Sequence, residues 1–306
     1  MRPEISVIMP TYNCENFVAL AVDSVMNQSY TNFELIIIDG GSTDATISIV
    51  RSYRDHRVKI VECSGMDIAE SRNLGLTMAK GDLIALHDAD DLSDPRRFAM
   101  QFQSFLDDEK LVVIGSSLIK IDDKGDIIRK VLQKKKVDFL DLKEGNQIGH
   151  GSVMFRRKVI LGEGSYDPFF IQAEDYELWC RLAKKGYKIM NLSEFLYYYR
   201  VHQKQISSEK WKENMLYACL VHDIYFGGLM KDKLSQVKKK SEGTLYSMLS
   251  VQMKSKYHRL LLFHNFLHAP SNVIKELIIL IRLDPVNEIC RLRFLFTSRQ
   301  YYFESL

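Results

Sequence analysis

The chain has 306 residues, 46% hydrophobic and 26% charged. These are ordinary globular figures, and they exclude a disordered chain, a collagen and a coiled-coil rod. The net charge of +3 is unevenly spread: residues 1–200 hold 26 Lys+Arg against 30 Asp+Glu, a net of −4, and residues 201–306 hold 16 against 9, a net of +7. A basic tail points to an anionic partner (nucleic acid, a membrane surface or the front of the same chain) or to a solvated helical face. A chain this long folds without disulfides. Its five cysteines, Cys14, Cys63, Cys180, Cys219 and Cys290, contain no C-x-x-C pair, which argues against a zinc site and for a reducing cytoplasm. No stretch approaches the ~18 apolar residues of a spanning helix. The N-terminus enters a strand pattern with no secretory h-region, so the expectation is a cytoplasmic protein, free or on the inner face of the membrane.

In chain order, Ile5–Met9 is a short apolar run closed by Pro10 and reads as a buried strand. Asn16–Asn27 carries apolar residues at helical spacing. Glu34–Ile38 reads as a second strand ending at Asp39. Gly40-Gly41 is a turn, with Ser42 or Thr43 expected to cap a helix running to about Tyr53. Val58–Glu62 is a third strand, Ile68–Ala79 a helix with Gly81 near its C-cap, and Asp82–Leu86 a fourth strand. Asp94-Pro95 then opens a helix, with Asp91 or Asp94 available as its cap. Strands alternating with helices imply a parallel sheet, in which ligands sit beyond the carboxyl ends of the strands. Asp39, Asp88 and Asp90 all fall there.

Further on, Leu111–Ser116 and Ile127–Val131 read as strands flanking an Asp122–Gly125 turn. Val137–Glu144 reads as a short helix and Ser152–Phe155 as a strand. Glu174–Lys185 is a helix closed by Gly186, and Leu196–Val201 is a strand. From about Ser208 the chain reads as mostly helical, broken at Gly227-Gly228, Ala269-Pro270-Ser271 and Asp284-Pro285. In Val273–Leu283 and Ile289–Arg299 apolar residues mix with basic ones such as Arg291, Arg293 and Arg299. This composition suits an interfacial helix on an anionic lipid surface, or a packing or dimer interface.

Three constellations carry possible chemistry. Asp88-Ala89-Asp90-Asp91 places three carboxylates within four residues at a strand end, where they repel one another unless a cation or donors compensate. Mg²⁺ and Mn²⁺ often use one or two carboxylates plus substrate phosphates. Asp39, followed by two glycines, either accepts a hydrogen bond from a ligand or forms the turn. Glu174-Asp175 opens a helix, as dipole partners or as a general base. His150 and His202, read alone, are structural.

Together these residues resemble a known family. Pro10-Thr11-Tyr12-Asn13, Asp39-Gly40-Gly41-Ser42-Thr43-Asp44, Arg72-Asn73-Leu74-Gly75, Asp88-Ala89-Asp90-Asp91 and Glu174-Asp175-Tyr176-Glu177-Leu178-Trp179 occur in the order of a glycosyltransferase family 2 enzyme of bacterial type. Tyr199-Arg200-Val201-His202, with Ser207, resembles the family's site-closing segment. The resemblance covers about residues 4–205. It implies an α/β GT-A fold: a Rossmann-like, mixed but mainly parallel sheet flanked by helices. The catalytic domain would be 1–207, with a nucleotide-sugar half (1–115) and an acceptor half (116–207), followed by a helical extension over 208–306. The resemblance further implies inverting transfer from a nucleotide-diphosphate sugar, a UDP-sugar by default, with Mn²⁺ or Mg²⁺. Pro10, Thr11, Tyr12, Asp39, Arg72, Asp88 and His202 would bind the donor, with Asp39 on the base. Asp90, with Asp88, would hold the metal. Asp175 would be the general base, with Glu174 beside it. The acceptor implied is a glycan or lipid-linked glycan of surface polysaccharide synthesis, not nucleic acid. The tail would mediate peripheral membrane association or dimerisation.

Gly40 and His87 depart from the usual pattern. Rival readings fit less well. A haloacid-dehalogenase-type phosphatase wants Thr or Val where Leu92 stands. A nucleotidyltransferase wants a glycine-rich basic loop where Pro10–Cys14 lies. A binding module without activity has no need of the full acidic set.

Overall fold

The computed structural model describes residues 2–202, 205, 210–231, 242–250, 253–254, 256–258, 260–261 and 279. The chain divides into two compact units, Met1–Glu209 and Lys210–Leu306.

The first unit opens with strand β1 (Ile5–Thr11), helix α1 (Val18–Met26), β2 (Phe33–Asp39), α2 (Thr46–Ser52), β3 (Val58–Glu62), α3 (Ile68–Met78) and β4 (Leu83–Leu86). It continues through β5 (Leu92–Ser93), α4 (Arg97–Asp107), β6 (Leu111–Ile121), β7 (Ile127–Val131), β8 (Lys136–Val137), β9 (Met154–Arg156), α5 (Arg157–Gly162), α6 (Glu174–Lys184) and β10 (Lys188–Arg200). The main sheet path is β3-β2-β1-β4-β9-β6-β10-β5, with β7 paired to β6 and β8 to β10. Strands β3, β2, β1 and β4 are mutually parallel. β9 runs antiparallel to both β4 and β6, and β6 and β10 are parallel. The carboxyl ends of β1, β2, β4, β6 and β10 therefore share one edge. β2 is buried at every residue, as a parallel strand covered on both faces should be. Its Leu35 and Ile37 pack with Val7, Val22, Val50 and Phe98 in one core.

Several local expectations are corrected. Ser42 and Thr43 do not cap α2, which starts at Thr46 with no side-chain cap. Instead Ser42 bonds Asp39 and the Thr43 N–H donates to Asn13 Oδ1 at 2.9 Å. Residues 137–144 are not an α-helix: Val137 belongs to β8, and only Asp141–Lys143 forms a 3₁₀ turn. There Asp138 and Asp141 accept backbone N–H groups from Leu140 and Asp138, a local alternative to helical bonding. Asp91 caps nothing, and the Asp94 carboxylate accepts from the Arg96 N–H just ahead of α4. The C-cap of α3 is Ala79. Gly81 lies near that cap, as expected, and also serves a close crossing, since a Cβ there would lie 2.6 Å from the Ser6 nitrogen. β6 and β10 are much longer than the apolar runs that signal them, because they pair with each other along nearly their full length through three register shifts.

In the second unit, helix Trp211–His222 runs into a π-turn over Asp223–Gly227 and stops at Gly228, whose φ of 85° is left-handed. Helix Glu242–Met248 follows. The Asp223 carboxylate accepts from the Ser250 N–H at 2.6 Å and from its hydroxyl at 2.9 Å. The breaks at Ala269–Ser271 and Asp284-Pro285, the stretch Ile289–Arg299, all of Val273–Leu283 but Ile279, and Ser207 lie outside the described residues. Among the described residues no helix is long and apolar enough to cross a membrane.

Helix α3 lies close against the sheet because residue 75 is glycine: an added Cβ would meet Ile8 Cγ2 at 2.7 Å and Ile38 Cδ1 at 2.9 Å. Overpacking of this kind costs about 1–3 kcal/mol. Gly75→Val should lower the unfolding free energy by roughly 2 kcal/mol in urea titration. A change within about 0.5 kcal/mol, the usual range of surface substitutions, would mean that α3 does not pack this way.

Candidate active site

β1 sits where the sheet order reverses. The chain goes from β1 outward through β2 and β3, then returns to β4 on the other side of β1. The crevice beyond the carboxyl ends at such a point is the usual ligand position in an open α/β sheet. Thr11, Asp39 and Asp88 all stand there, at the ends of β1, β2 and β4.

Asp39 is buried and its carboxylate is fully engaged. It accepts from the Gly41 N–H at 2.9 Å, the Ser42 N–H at 2.8 Å, the Thr11 hydroxyl at 3.1 Å and the Ser42 hydroxyl. Four donors match the lone-pair sites of a carboxylate, so Asp39 builds its own turn. The loop after β1 is laced to that turn through Asn13. This residue adopts a left-handed φ of 49°, a conformation Asn tolerates better than most residues. Its N–H donates to Ser42 Oγ at 2.9 Å. Pro10 does not close β1, which continues to Thr11 in register with Asp39, and Tyr12 stands 57% exposed beside the turn, an aromatic face open to a planar ligand.

The acidic loop follows β4. Arg97, fully buried beneath it, donates to the Leu86 and Val153 carbonyls at 2.8 and 3.1 Å and to Ser93 Oγ at 2.9 Å. Burial lowers its pKa to about 10. His87 is also buried, with Nδ1 2.8 Å from the Asp88 carbonyl. Burial, then the Arg97 charge, pushes its pKa down to about 3, so it is a neutral ring. The departure at His87 is therefore structural: it and Arg97 support the loop from below. Asp91 points inward and accepts from the Arg200 N–H at 2.7 Å. Burial, then the nearby Asp90 and Asp88 charges, holds its pKa well above the ordinary carboxylate range. Asp88 and Asp90 stay partly exposed, their side chains 33% and 22% accessible. Asp90 Oδ2 lies 2.9 Å from His202 Nε2, and Arg200 Nε donates to the Asp90 carbonyl at 2.8 Å. The structure thus brings His202 to the acidic loop.

Arg72, on α3, joins this loop to α6. Its guanidinium pairs with Glu174 through Nη1 and reaches Asp88 Oδ1 through Nη2 at 3.5 Å. Arg72 and Glu174 are both buried. The next residue of the motif has a matching task, since Asn73 bonds both the N–H and the carbonyl of Tyr166 at 2.9 and 2.8 Å. Asp175 opens α6 at the crevice. Its Oδ1 accepts from the Tyr176 N–H and its Oδ2 from Asn146 Nδ2, both at 2.7 Å. Burial raises the Asp175 pKa, which strengthens the carboxylate as a proton acceptor. His150 is structural: its Nε2 lies 3.0 Å from the Tyr166 hydroxyl.

Sequence reasoning missed three contributors, Asn146, Arg97 and Gly151, and named Arg200 only as part of the site-closing segment. A Cβ on Gly151 would lie 2.6 Å from Asp88 Oδ2 and 2.2 Å from the Tyr197 hydroxyl. Asn146 sits in a loop and Gly151 in the 3₁₀ turn His150–Ser152, neither with a local signal. Arg97 carries no sequence signal, and the tasks of Arg97 and Arg200 show only in their buried contacts.

The chain matches the family model "Glycosyl transferase family 2" over residues 6–161. This chain belongs to that family. As a member it is a glycosyltransferase of GT-A fold. It is 34% identical over 207 residues to the O-antigen biosynthesis glycosyltransferase WbnJ of Escherichia coli, covering 65% of this chain and 80% of that one. It is 30% identical over 214 residues to the UDP-Glc:alpha-D-GlcNAc-diphosphoundecaprenol beta-1,3-glucosyltransferase WfgD of the same organism, covering 68% and 81%. Among solved structures it is similar to S. aureus TarS 1-349 in complex with UDP-GlcNAc. There the TM-score is 0.60 and the identity 18%, with 98% of this chain and 93% of that one covered.

The buried Glu174 of this family 2 enzyme makes a pH prediction. Burial, opposed by Arg72, raises its pKa from 4.5 to about 7. Between those values the native state keeps a proton that the unfolded state has lost. The contribution is fully present below the unfolded pKa and is lost as pH rises to about 7. Glu174→Gln cannot lose that proton. Its stability relative to wild type should therefore rise between roughly pH 5 and pH 7.5 in metal-free urea titrations. A difference that stays constant with pH would show that Glu174 is ionised throughout.

Proposed function

We propose that this glycosyltransferase is an inverting, metal-dependent enzyme. In this reading it moves a sugar from a UDP-sugar to a hydroxyl of a lipid-linked glycan in surface polysaccharide synthesis, at the cytoplasmic face of the membrane. The observation that carries the reading is the Arg72 bridge, which holds the acidic loop and the start of α6 around one crevice. The names of WbnJ and WfgD supply the polysaccharide, the UDP-sugar and the diphosphoundecaprenol acceptor.

In this reading Pro10, Thr11 and Tyr12 form the nucleoside edge of the crevice, with the exposed Tyr12 ring as a stacking face. A base N–H reaches Asp39 by displacing the Ser42 or Thr11 hydroxyl, the two donors free to rotate away. Arg72 orients Asp88 towards the donor while keeping Glu174 in place. Among the described residues no group of three or more His, Cys, Asp or Glu side chains is gathered to hold an ion. The facing Asp90 and His202, with Asp88 beside them, nonetheless fit a cation that completes its shell on diphosphate oxygens. Asp91, whose pKa is raised first by burial and then by the Asp90 and Asp88 charges, points inward and is not one of the groups offered to the cation. Asp90, Asp88 and His202 would hold Mn²⁺ or Mg²⁺, which when bound offsets the charge developing on the leaving diphosphate. Asp175, oriented by Asn146, takes the acceptor hydroxyl proton as that oxygen attacks the anomeric carbon. The single displacement inverts the configuration. The proposed catalytic domain is 1–207, and the proposed membrane or dimer role of 208–306 concerns a region largely outside the described residues.

The test separates the two poles with a UDP-sugar panel scored by UDP release and donor calorimetry. Asp175→Asn should lose about 10²–10⁴-fold in rate with donor affinity little changed. Asp90→Ala, or chelator on wild type, should abolish transfer and weaken donor binding together. Near wild-type rate in the Asn variant would reduce Asp175 to a helix-start residue, and full activity in excess chelator would remove the metal.

A further inference from the structure

Tyr197 is fully buried beneath the acidic loop, and its ring is gripped from two directions. The His87 ring meets it edge-on with centroids 5.4 Å apart, and the Arg97 guanidinium lies 5.0 Å from its centroid. β10 carries it between β6 and β5, opposite Leu118 and Ser93. A ring held in this way delivers its hydroxyl to one place, and a buried tyrosine hydroxyl needs partners there. The hydroxyl oxygen accepts from the Asp88 N–H at 3.1 Å. Its own proton remains to be given, since a phenol is both donor and acceptor at neutral pH.

Gly151 brings the hydroxyl against the Asp88 side chain as well. A Cβ on residue 151 would lie 2.2 Å from the Tyr197 hydroxyl oxygen and 2.6 Å from Asp88 Oδ2. The two oxygens therefore crowd one small space that any larger residue would fill. Gly151 is not in the left-handed region, so this position uses its lack of a side chain and not its backbone freedom. Asp88 is thus held at several atoms. Arg72 Nη2 reaches its Oδ1 at 3.5 Å, while Tyr197 takes its N–H and stands beside its Oδ2. Core packing explains the ring of Tyr197 but not its hydroxyl, because phenylalanine would fill the same volume.

We propose that Tyr197 is a positioning residue for the cation site: its hydroxyl, in the space that Gly151 leaves, fixes the backbone and carboxylate of Asp88 in the geometry that holds the donor's divalent cation. Tyr197 acts through Asp88 and touches no substrate. The inference rests on the metal-dependent reading above and names the group that sets the geometry of one of its carboxylates. Partners that orient a metal-binding side chain typically control about 10–100-fold in metal affinity.

The experiment measures Mn²⁺ binding directly, from the paramagnetic resonance signal of free Mn²⁺ with saturating UDP present, and then donor kinetics across a Mn²⁺ series. It compares wild type, Tyr197→Phe, Gly151→Ala and a control, Tyr198→Phe, whose side chain leaves β10 on the opposite face. Circular dichroism melts identify the folded variants. Tyr197→Phe keeps the ring, so it decides the matter even if Gly151→Ala does not fold. Tyr197→Phe should bind Mn²⁺ about tenfold or more weakly than wild type, and excess Mn²⁺ should restore most of its kcat, because Asp175 is untouched. Folded Gly151→Ala should show the same loss, and Tyr198→Phe should bind Mn²⁺ as wild type does. A Tyr197→Phe protein with wild-type Mn²⁺ affinity overturns the proposal and leaves the metal reading standing. A loss of rate that excess Mn²⁺ does not repair also overturns it, and assigns the hydroxyl to fold maintenance alone. Wild type that binds no Mn²⁺ with UDP present defeats the metal reading and this proposal together.

Discussion

A buried cation must find its counter-charges, and in this fold Arg72 finds them on two different pieces of the chain. Its guanidinium meets Glu174 on one side and Asp88 on the other. Removing one partner of a buried pair typically costs 3–5 kcal/mol, because the remaining charge stays desolvated. The sheet brings the ends of β1, β2 and β4 together, and this bridge ties the start of α6 to α3 and to the loop after β4. The proposed donor pole and proposed base pole then form one crevice.

The acidic loop depends on a comparable device. Three carboxylates cannot share four residues in a dry pocket unless something below and beside them compensates. Arg97 lies below, Arg200 holds the Asp91 carboxylate and the Asp90 carbonyl, and His202 faces the Asp90 side chain. Asp88 and Asp90 remain partly exposed, at the strand ends where α/β sheets bind ligands. Arg200 also ties the turn after β6 to the same loop, through the Asp122 and Asp123 carbonyls.

Much of this was legible in the sequence because it is local. The β1 to β4 alternation follows from short apolar runs between turn residues, and Val58–Glu62 and Ile127–Val131 match the observed strands to the residue. The family motifs mark Asp88, Asp90, Glu174 and Asp175 before any contact is seen. What was not legible is non-local. Nothing near Asn146 says that its amide meets Asp175, 29 residues on. Nothing near Arg97 says that a charged side chain lies wholly buried under the acidic loop that precedes it in the chain. Ser42 reads as a helix cap by type, yet Asp39 competes for it and wins. Val137 reads as helical until β10 offers it a strand partner.

The most direct test of the central claim is Arg72→Lys, read by donor calorimetry and by steady-state transfer. An ammonium keeps the charge but lacks the planar fork that serves two carboxylates at once. The account predicts a folded variant in which donor affinity and kcat both fall, with kcat/KM down by about tenfold or more. A folded Arg72→Lys enzyme with wild-type donor affinity and wild-type kcat would contradict it, and the site would then be held together by the sheet alone.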